Sequence, residues 1–243
     1  MILSHSDRWI PVRSKPIDPR IRLFCFPYAG AGASIYRSWS ISGIEVCGIQ
    51  LPGREGRITE ALYRSMDRLV DEAANAISRY DDLPRAFYGH SMGALVAYEL
   101  IARLGGAHLF VSGCSSPRRV PAQQQLHRLP DAELIAAIAS WNGTPEAVLR
   151  EPELMSLMLP VVRADLEIFE QYATSSGTLL QCPITAIAGD SDDRAPAAGM
   201  ENWRSVTKGP FRLHVIKGGH FFLRDSRQTL LELIQRELGV ERT

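Results

Sequence analysis

Apolar residues fall along this chain in short unbroken runs, separated by stretches where they recur every three or four positions. The runs are Ile21-Arg-Leu-Phe-Cys-Phe26, Ile44 to Leu51, the segment opening at Arg85-Ala-Phe-Tyr88, His108-Leu-Phe-Val-Ser-Gly113, Cys182-Pro-Ile-Thr-Ala-Ile-Ala188 and Phe211-Arg-Leu-His-Val-Ile216. Runs this short and this apolar, several of them closed by Pro or Gly, predict strands buried on both faces. Trp9, Ile10 and Val12, set among Pro and Arg, predict a short edge strand ahead of them. Between the runs the period changes. Met66, Leu69, Val70, Ala73, Ala74 and Ile77 predict an amphipathic helix over about 65–80. Ala94, Leu95, Ala97, Tyr98 and Ile101 predict another, and Leu230, Leu231, Leu233, Ile234 and Leu238 a closing helix from about Asp225 to Leu238. A helical start is expected near Tyr36 and Trp39, after the small-residue loop Tyr28-Ala-Gly-Ala-Gly-Ala-Ser34. Strands alternating with helices predict an α/β fold: a mostly parallel central sheet with helices on both faces.

The alternation lapses from about 126 to 172, where helix follows helix: Leu129-Pro-Asp-Ala-Glu-Leu-Ile135, Thr144-Pro-Glu-Ala-Val-Leu149, then Glu151-Pro-Glu-Leu-Met-Ser-Leu-Met-Leu-Pro-Val-Val162. Asp131 and Thr144 suit helix N-caps, and Pro145 and Pro152 suit first turns. A helical block inside such an alternation is expected to be a lid inserted at about 115–178, lying over the sheet's C-terminal edge where ligands bind in open α/β sheets. Met155, Met158, Leu154 and Leu157 would give it a soft apolar surface. No repeat or linker interrupts the pattern, so residues 1–243 are expected to form a single domain with one insertion.

Composition narrows the partners. The 243 residues are 45% hydrophobic and 22% charged, ordinary for a globular protein, and 27 Lys+Arg balance 27 Asp+Glu. A chain without net charge is not expected to have nucleic acid or an acidic membrane surface as its main partner. The first residues are too polar for a secretory leader and no apolar run approaches membrane-spanning length, so a cytoplasmic location is expected. Cys25, Cys47, Cys114 and Cys182 lie far apart without a C-x-x-C pair, and buried free thiols are expected rather than a metal or redox site.

The chemistry centres on Gly89-His-Ser-Met-Gly93, a G-x-S-x-G between a strand and a helix. This is the setting of a nucleophile elbow. Ser91 would occupy a strained backbone conformation there, and a Cβ at position 89 or 93 would strike the neighbouring strand or helix. The turn presents the hydroxyl at a helix N-terminus, where unpaired N–H groups favour a developing negative charge. A serine hydroxyl needs a base. Of six histidines, His5 and His127 sit in polar, loop-like stretches, His108 and His214 begin or lie within strands, and His90 is held by the turn away from Ser91. His220 follows Lys217-Gly-Gly at a strand's C-terminal end and is the expected base. In the order Ser…Asp…His, the orienting acid falls in Gly189-Asp-Ser-Asp-Asp193. Asp192 is the choice, with Asp190 bracing the loop and Asp193 as the alternative. The oxyanion donors are expected to be the N–H of Met92 and that of Tyr28 or Ala29, on a loop whose small residues let a carbonyl oxygen approach.

These motifs, in this order, resemble a family. Phe26-Pro-Tyr-Ala-Gly30, Leu51-Pro-Gly-Arg-Glu-Gly-Arg57, Gly89-His-Ser-Met-Gly93, Leu129-Pro-Asp-Ala-Glu-Leu134, Leu159-Pro-Val-Val-Arg-Ala-Asp165, Gly189-Asp-Ser-Asp192 and Gly218-Gly-His-Phe-Phe-Leu223 are similar to the type II thioesterases of the α/β-hydrolase fold, the editing enzymes of polyketide and nonribosomal peptide synthesis. Tyr28 departs from the His of many relatives, and Ala31-Gly-Ala33 from the commoner Gly-Ser-Ala. The resemblance implies hydrolysis of acyl groups from the phosphopantetheine arm of an acyl or peptidyl carrier protein, through a Ser91–His220–Asp192 triad and an acyl-enzyme. It implies no metal or cofactor and a monomer. Arg54 and Arg57 would then be candidates to meet the acidic carrier or its phosphate. A general esterase or lipase, or an acyltransferase, would use the same residues, and a non-enzymatic receptor on this fold would be expected to have lost one of them.

Overall fold

In the computed structural model, which describes residues 8–118, 125–173 and 179–240, seven strands form one sheet. They are β1 (Val12–Ser14), β2 (Ile21–Phe26), β3 (Ile44–Gly48), β4 (Arg85–His90), β5 (His108–Ser112), β6 (Ile184–Gly189) and β7 (Phe211–Ile216), in the order β1-β3-β2-β4-β5-β6-β7. Only β1 runs antiparallel to its neighbour. The helices are α1 (Met66–Ile77), α2 (Met92–Leu104), α3 (Asp131–Ser140), α4 (Glu146–Leu149), α5 (Pro152–Gln171), α6 (Ala197–Met200), α7 (Phe222–Asp225) and α8 (Arg227–Glu237).

Alternation within the buried strands divides the core between the two faces of the sheet. Phe24, Phe26, Phe87, Leu109 and Val111 point to one face and pack with Leu69 and Ala73 of α1, Leu95 of α2 and Trp203. Leu23, Cys25, Ala86, Tyr88 and Phe110 point to the other, against Tyr36, Trp39 and Leu230 and Ile234 of α8. The strands are therefore apolar at nearly every position, which is why they read as unbroken runs. All six residues predicted for the inner face of α1 are buried. The edge strand predicted near Val12 is present as β1.

Local chemistry moved some boundaries. The helical start near Tyr36 is a single 3₁₀ turn, Ala33–Tyr36, and the strand from Ile44 stops at Gly48. Asp131 and Thr144 are not N-caps. Pro130 and Pro145 hold those positions, while Asp131 sits in the first turn of α3 and binds Arg163 at 2.5 Å. Pro152 opens α5, as its missing N–H permits. Three thiols are buried, whereas Cys182 is only half-buried, because it precedes β6.

Between β5 and β6 the helices α3, α4 and α5 enclose a third apolar cluster of Leu134, Ile138, Met155, Leu159, Val162 and Leu166. Met155 belongs to this interior, whereas Leu154 and Leu157 are exposed on α5, so the expected apolar surface is split between two roles. The expected limits of the insertion, about 115 and 178, fall on or beside residues 119–124 and 174–178, outside the described residues. Among the described residues no helix is long and apolar enough to cross a membrane.

Candidate active site

Register brings four chain segments to one edge. Phe26 pairs with Gly89, His90 with Ser112, and Gly189 with Ile216, so the loops leaving β2, β4, β6 and β7 emerge side by side. Ser91 lies between β4 and α2 at φ 54°, ψ −119°, a conformation L-residues rarely adopt. Its N–H is tied to the Ser112 carbonyl at 2.8 Å. The flanking glycines are sterically compelled. A Cβ on Gly89 would lie 2.1 Å from the Gly93 carbonyl oxygen, and one on Gly93 would lie 2.3 Å from that of Phe26.

The acid and histidine loops are stitched together. Ser191 N–H donates to the Gly218 carbonyl at 3.1 Å, and the Asp190 carboxylate accepts the Gly218 N–H at 2.9 Å. Asp190 thus braces the loop. Asp192 is buried; one of its oxygens accepts the N–H groups of Arg194 and Ala195 at 3.0 and 3.1 Å, and the other lies 2.9 Å from His220 Nδ1. Asp193 is exposed. Burial pushes the Asp192 carboxyl up, but the hydrogen bond and charge of His220, with the two backbone donors, leave it below the usual carboxylate range. A carboxylate can only accept, so His220 carries its proton on Nδ1 and keeps Nε2 as the basic nitrogen.

His220, Ser91, Met92, Tyr28 and Ala29 line one cleft of about 30 Å³, closed over by Trp141 and Phe169. Tyr28, Ala29, Trp141 and Phe221 also border a neighbouring cavity of about 280 Å³, roofed by Val148, Met158 and Val162 of α4 and α5. The backbone N–H groups of Tyr28, Ala29 and Met92 donate to no oxygen among the described residues, whereas Gly30 donates to Asp165 and Ala31 to the Tyr28 carbonyl. Three unspent donors therefore border the cleft that holds the Ser91 hydroxyl. Tyr28 packs its ring edge-on against His90 and Phe221, and its hydroxyl accepts from Arg224 at the rim of the larger cavity.

The other histidines are engaged elsewhere. His90 is fully buried, with Nδ1 2.8 Å from Ser112 Oγ and its ring 5.1 Å from that of His220. Burial and the charge of His220 hold it well below the usual imidazole range, so it stays neutral. His108 bonds Thr185 and stacks on Phe110, and His214 faces Glu237. His127 is buried in a 3₁₀ turn and not in an open loop, with Nδ1 2.5 Å from Glu170 of α5. His5 lies outside the described residues.

Two expectations for the arginines fail. Arg54 and Arg57 are buried, with 7% and 3% of their surfaces exposed, so neither is free for a carrier. Arg54 pairs with Asp165 of α5. Arg57 pairs with Glu60 and lies over the Trp9 ring, 4.4 Å from its centroid. Asp165, quoted above only as the end of the Leu159–Asp165 motif, is the buried partner that the sequence did not assign.

A thioesterase domain family profile matches residues 21–238. The gramicidin S biosynthesis protein GrsT of Aneurinibacillus migulanus is 39% identical over 245 residues, covering 97% of this chain and 96% of the relative. The type II thioesterase BorB from the borrelidin biosynthetic cluster superposes with a TM-score of 0.86 at 33% identity, covering 97% of this chain and 100% of BorB. RedJ, a thioesterase from the prodiginine pathway of Streptomyces coelicolor, superposes at 0.84 with 36% identity and 92% of each chain covered.

Proposed function

The chain belongs to the thioesterase domain family, an enzyme of the α/β-hydrolase fold, and on that premise we propose that it removes aberrant or misprimed acyl groups from the phosphopantetheine arm of carrier proteins in polyketide or nonribosomal peptide synthesis. The observation that carries this reading is the convergence, at one cleft, of a strained serine, a histidine oriented by a buried carboxylate, and unspent backbone donors.

In the proposed course, His220 Nε2 takes the Ser91 proton as the hydroxyl oxygen attacks the thioester carbonyl carbon. The oxyanion is held by the N–H of Met92 and by that of Tyr28 or Ala29. Asp192 keeps His220 in the required tautomer and stabilises the imidazolium. The intermediate collapses by breaking the carbon–sulfur bond; the pantetheine sulfur departs readily as a thiolate and takes up the proton held on His220 Nε2, leaving the ring neutral again. Water then gives a proton to His220 and attacks the acyl-enzyme, releasing the free acid and restoring Ser91. The helices between β5 and β6 act as the lid, and the 280 Å³ cavity they roof takes the acyl group or the arm.

The decisive experiment follows the intact mass of a carrier protein bearing acetyl-phosphopantetheine, with wild type and with Ser91→Ala. Loss of the acetyl mass with wild type alone is expected. Turnover by both would remove Ser91 from the mechanism, and cleavage of a nitrophenyl ester without deacylation of the carrier would assign the enzyme to free esters.

A further inference from the structure

Arg54 and Asp165, 111 positions apart in sequence, meet as a two-pronged ion pair, with Nη1–Oδ2 at 2.5 Å and Nη2–Oδ1 at 2.8 Å, in an almost dry site. Both also grip the turn that follows β2. Asp165 Oδ2 accepts the Gly30 N–H at 2.7 Å, and Arg54 Nη1 donates to the Ala31 carbonyl at 3.2 Å. The turn Tyr28–Ala31 is closed by the Ala31 N–H to the Tyr28 carbonyl at 3.0 Å, with Gly30 at φ 82° in its third position, the arrangement of a type II turn. From outside, α5 presses on it: a Cβ at Gly30 would lie 2.7 Å from Val162 Cγ2.

A buried ion pair gives little net stability over apolar residues of the same volume, because desolvating two charges offsets most of their attraction. What this pair does supply is direction. By taking the Gly30 N–H and the Ala31 carbonyl, it fixes the turn in the one orientation that leaves the Tyr28 and Ala29 donors at the Ser91 cleft. We infer that Arg54 and Asp165 are positioning residues for the second oxyanion donor, and that the donor is in place only while α5 is seated. This rests on the oxyanion role proposed above. Since the oxyanion exists only along the reaction path, loosening the turn should lower kcat and spare KM.

The test compares Asp165→Asn, Arg54→Lys, Ser91→Ala and Glu60→Gln with wild type, using the full chain and the acetylated carrier. An asparagine whose oxygen stays on the Gly30 N–H and Arg54 Nη1 turns its NH₂ against Arg54 Nη2, so it sets donor against donor at the second prong and removes the charge that holds Arg54 over the turn. A lysine keeps the charge but is shorter and has no planar fork, so it loses the second prong on Asp165 Oδ1 and with it the fixed direction of the pair. Both variants are expected to lose roughly 10- to 100-fold in kcat with KM within about 2-fold, and to lose affinity for a boronic-acid transition-state analogue by the same factor. Glu60→Gln weakens the neighbouring Arg57 pair without touching the turn, and kcat should be unchanged whatever happens to its melting temperature. Asp165→Asn with wild-type kcat overturns the inference, as does an equal fall in Glu60→Gln. If Asp165→Asn does not fold, Arg54→Lys decides by the same criterion. An inactive Ser91→Ala beside a fully active Asp165→Asn rejects the positioning role alone, whereas an active Ser91→Ala rejects the reading of the site on which it rests.

Discussion

Replacing Asp192 by asparagine is isosteric, and the structure dictates how the new amide must sit. One carboxylate oxygen accepts two backbone N–H groups, from Arg194 at 3.0 Å and Ala195 at 3.1 Å. An amide that turned its NH₂ toward them would oppose donor to donor, so its oxygen must stay there. The NH₂ then faces His220 Nδ1, 2.9 Å from the atom it replaces. A donor at that place forces Nδ1 to accept, moves the ring proton to Nε2 and removes the base from Ser91. The loss expected from a wrong tautomer is about 10⁴-fold in kcat, or about 5 kcal/mol of transition-state stabilisation. The variant should still fold near neutral pH, with a lower unfolding free energy than wild type. Because the native carboxyl lies below its ordinary value, its stabilising contribution is present above the unfolded pKa, near 3.9, and is lost as pH falls through the folded one. The gap in unfolding free energy between wild type and variant should therefore close in acid. The assay is deacylation of the acetylated carrier at saturating substrate, beside urea unfolding at pH 7 and pH 3. Asp192→Asn within ten-fold of wild type, with Asp193→Asn inactive, would refute this reasoning and move the acid one residue along.

Gly93→Ala drives a methyl against the Phe26 and Pro27 carbonyl oxygens, at 2.3 and 2.7 Å, and should cost about 1–3 kcal/mol or more together with activity; an unchanged urea midpoint would contradict that. His108 is lowered by burial to about 4, so the unfolded chain binds a proton there that the native one refuses. Stability should fall as pH drops from about 6.5 to about 4, by on the order of 3 kcal/mol from this residue, and His108→Gln should flatten that part of the profile; identical slopes in wild type and variant would discount it. In Asp190→Asn the amide oxygen can still accept the Gly218 N–H, so turnover should stay within about ten-fold of wild type. A collapse comparable to that of Asp192→Asn would give Asp190 a larger part than bracing.

What the sequence made legible is what depends on near neighbours in the chain. The runs from Ile21, Arg85 and His108 are apolar on both faces, and the α1 stripe repeats at helical spacing, so each could be read locally. The elbow glycines are constrained by atoms a few residues away or on the adjacent strand. The side chains that stayed hidden take their meaning from distant partners. Arg54 and Arg57 look like solvated loop arginines until Asp165 and Glu60 are brought to them. Arg22 and Glu45 stand side by side on β2 and β3, buried with 1% and 0% exposed, and are neutralised by each other and by Arg13 and Asp82. His127 reads as a loop residue because Glu170 lies on another helix. Sequence spacing carries no record of such pairings, since they are made by folding.

The backbone at Ser91 bears on how this enzyme can age under mutation. A non-glycine residue at φ 54°, ψ −119° costs on the order of 1–3 kcal/mol, which glycine would not incur. The change that most readily relieves the fold here is thus the one that deletes the hydroxyl proposed as the nucleophile. Ser91→Gly should unfold at higher denaturant than wild type, whereas Ser91→Ala keeps the strain and is the fairer inactive control.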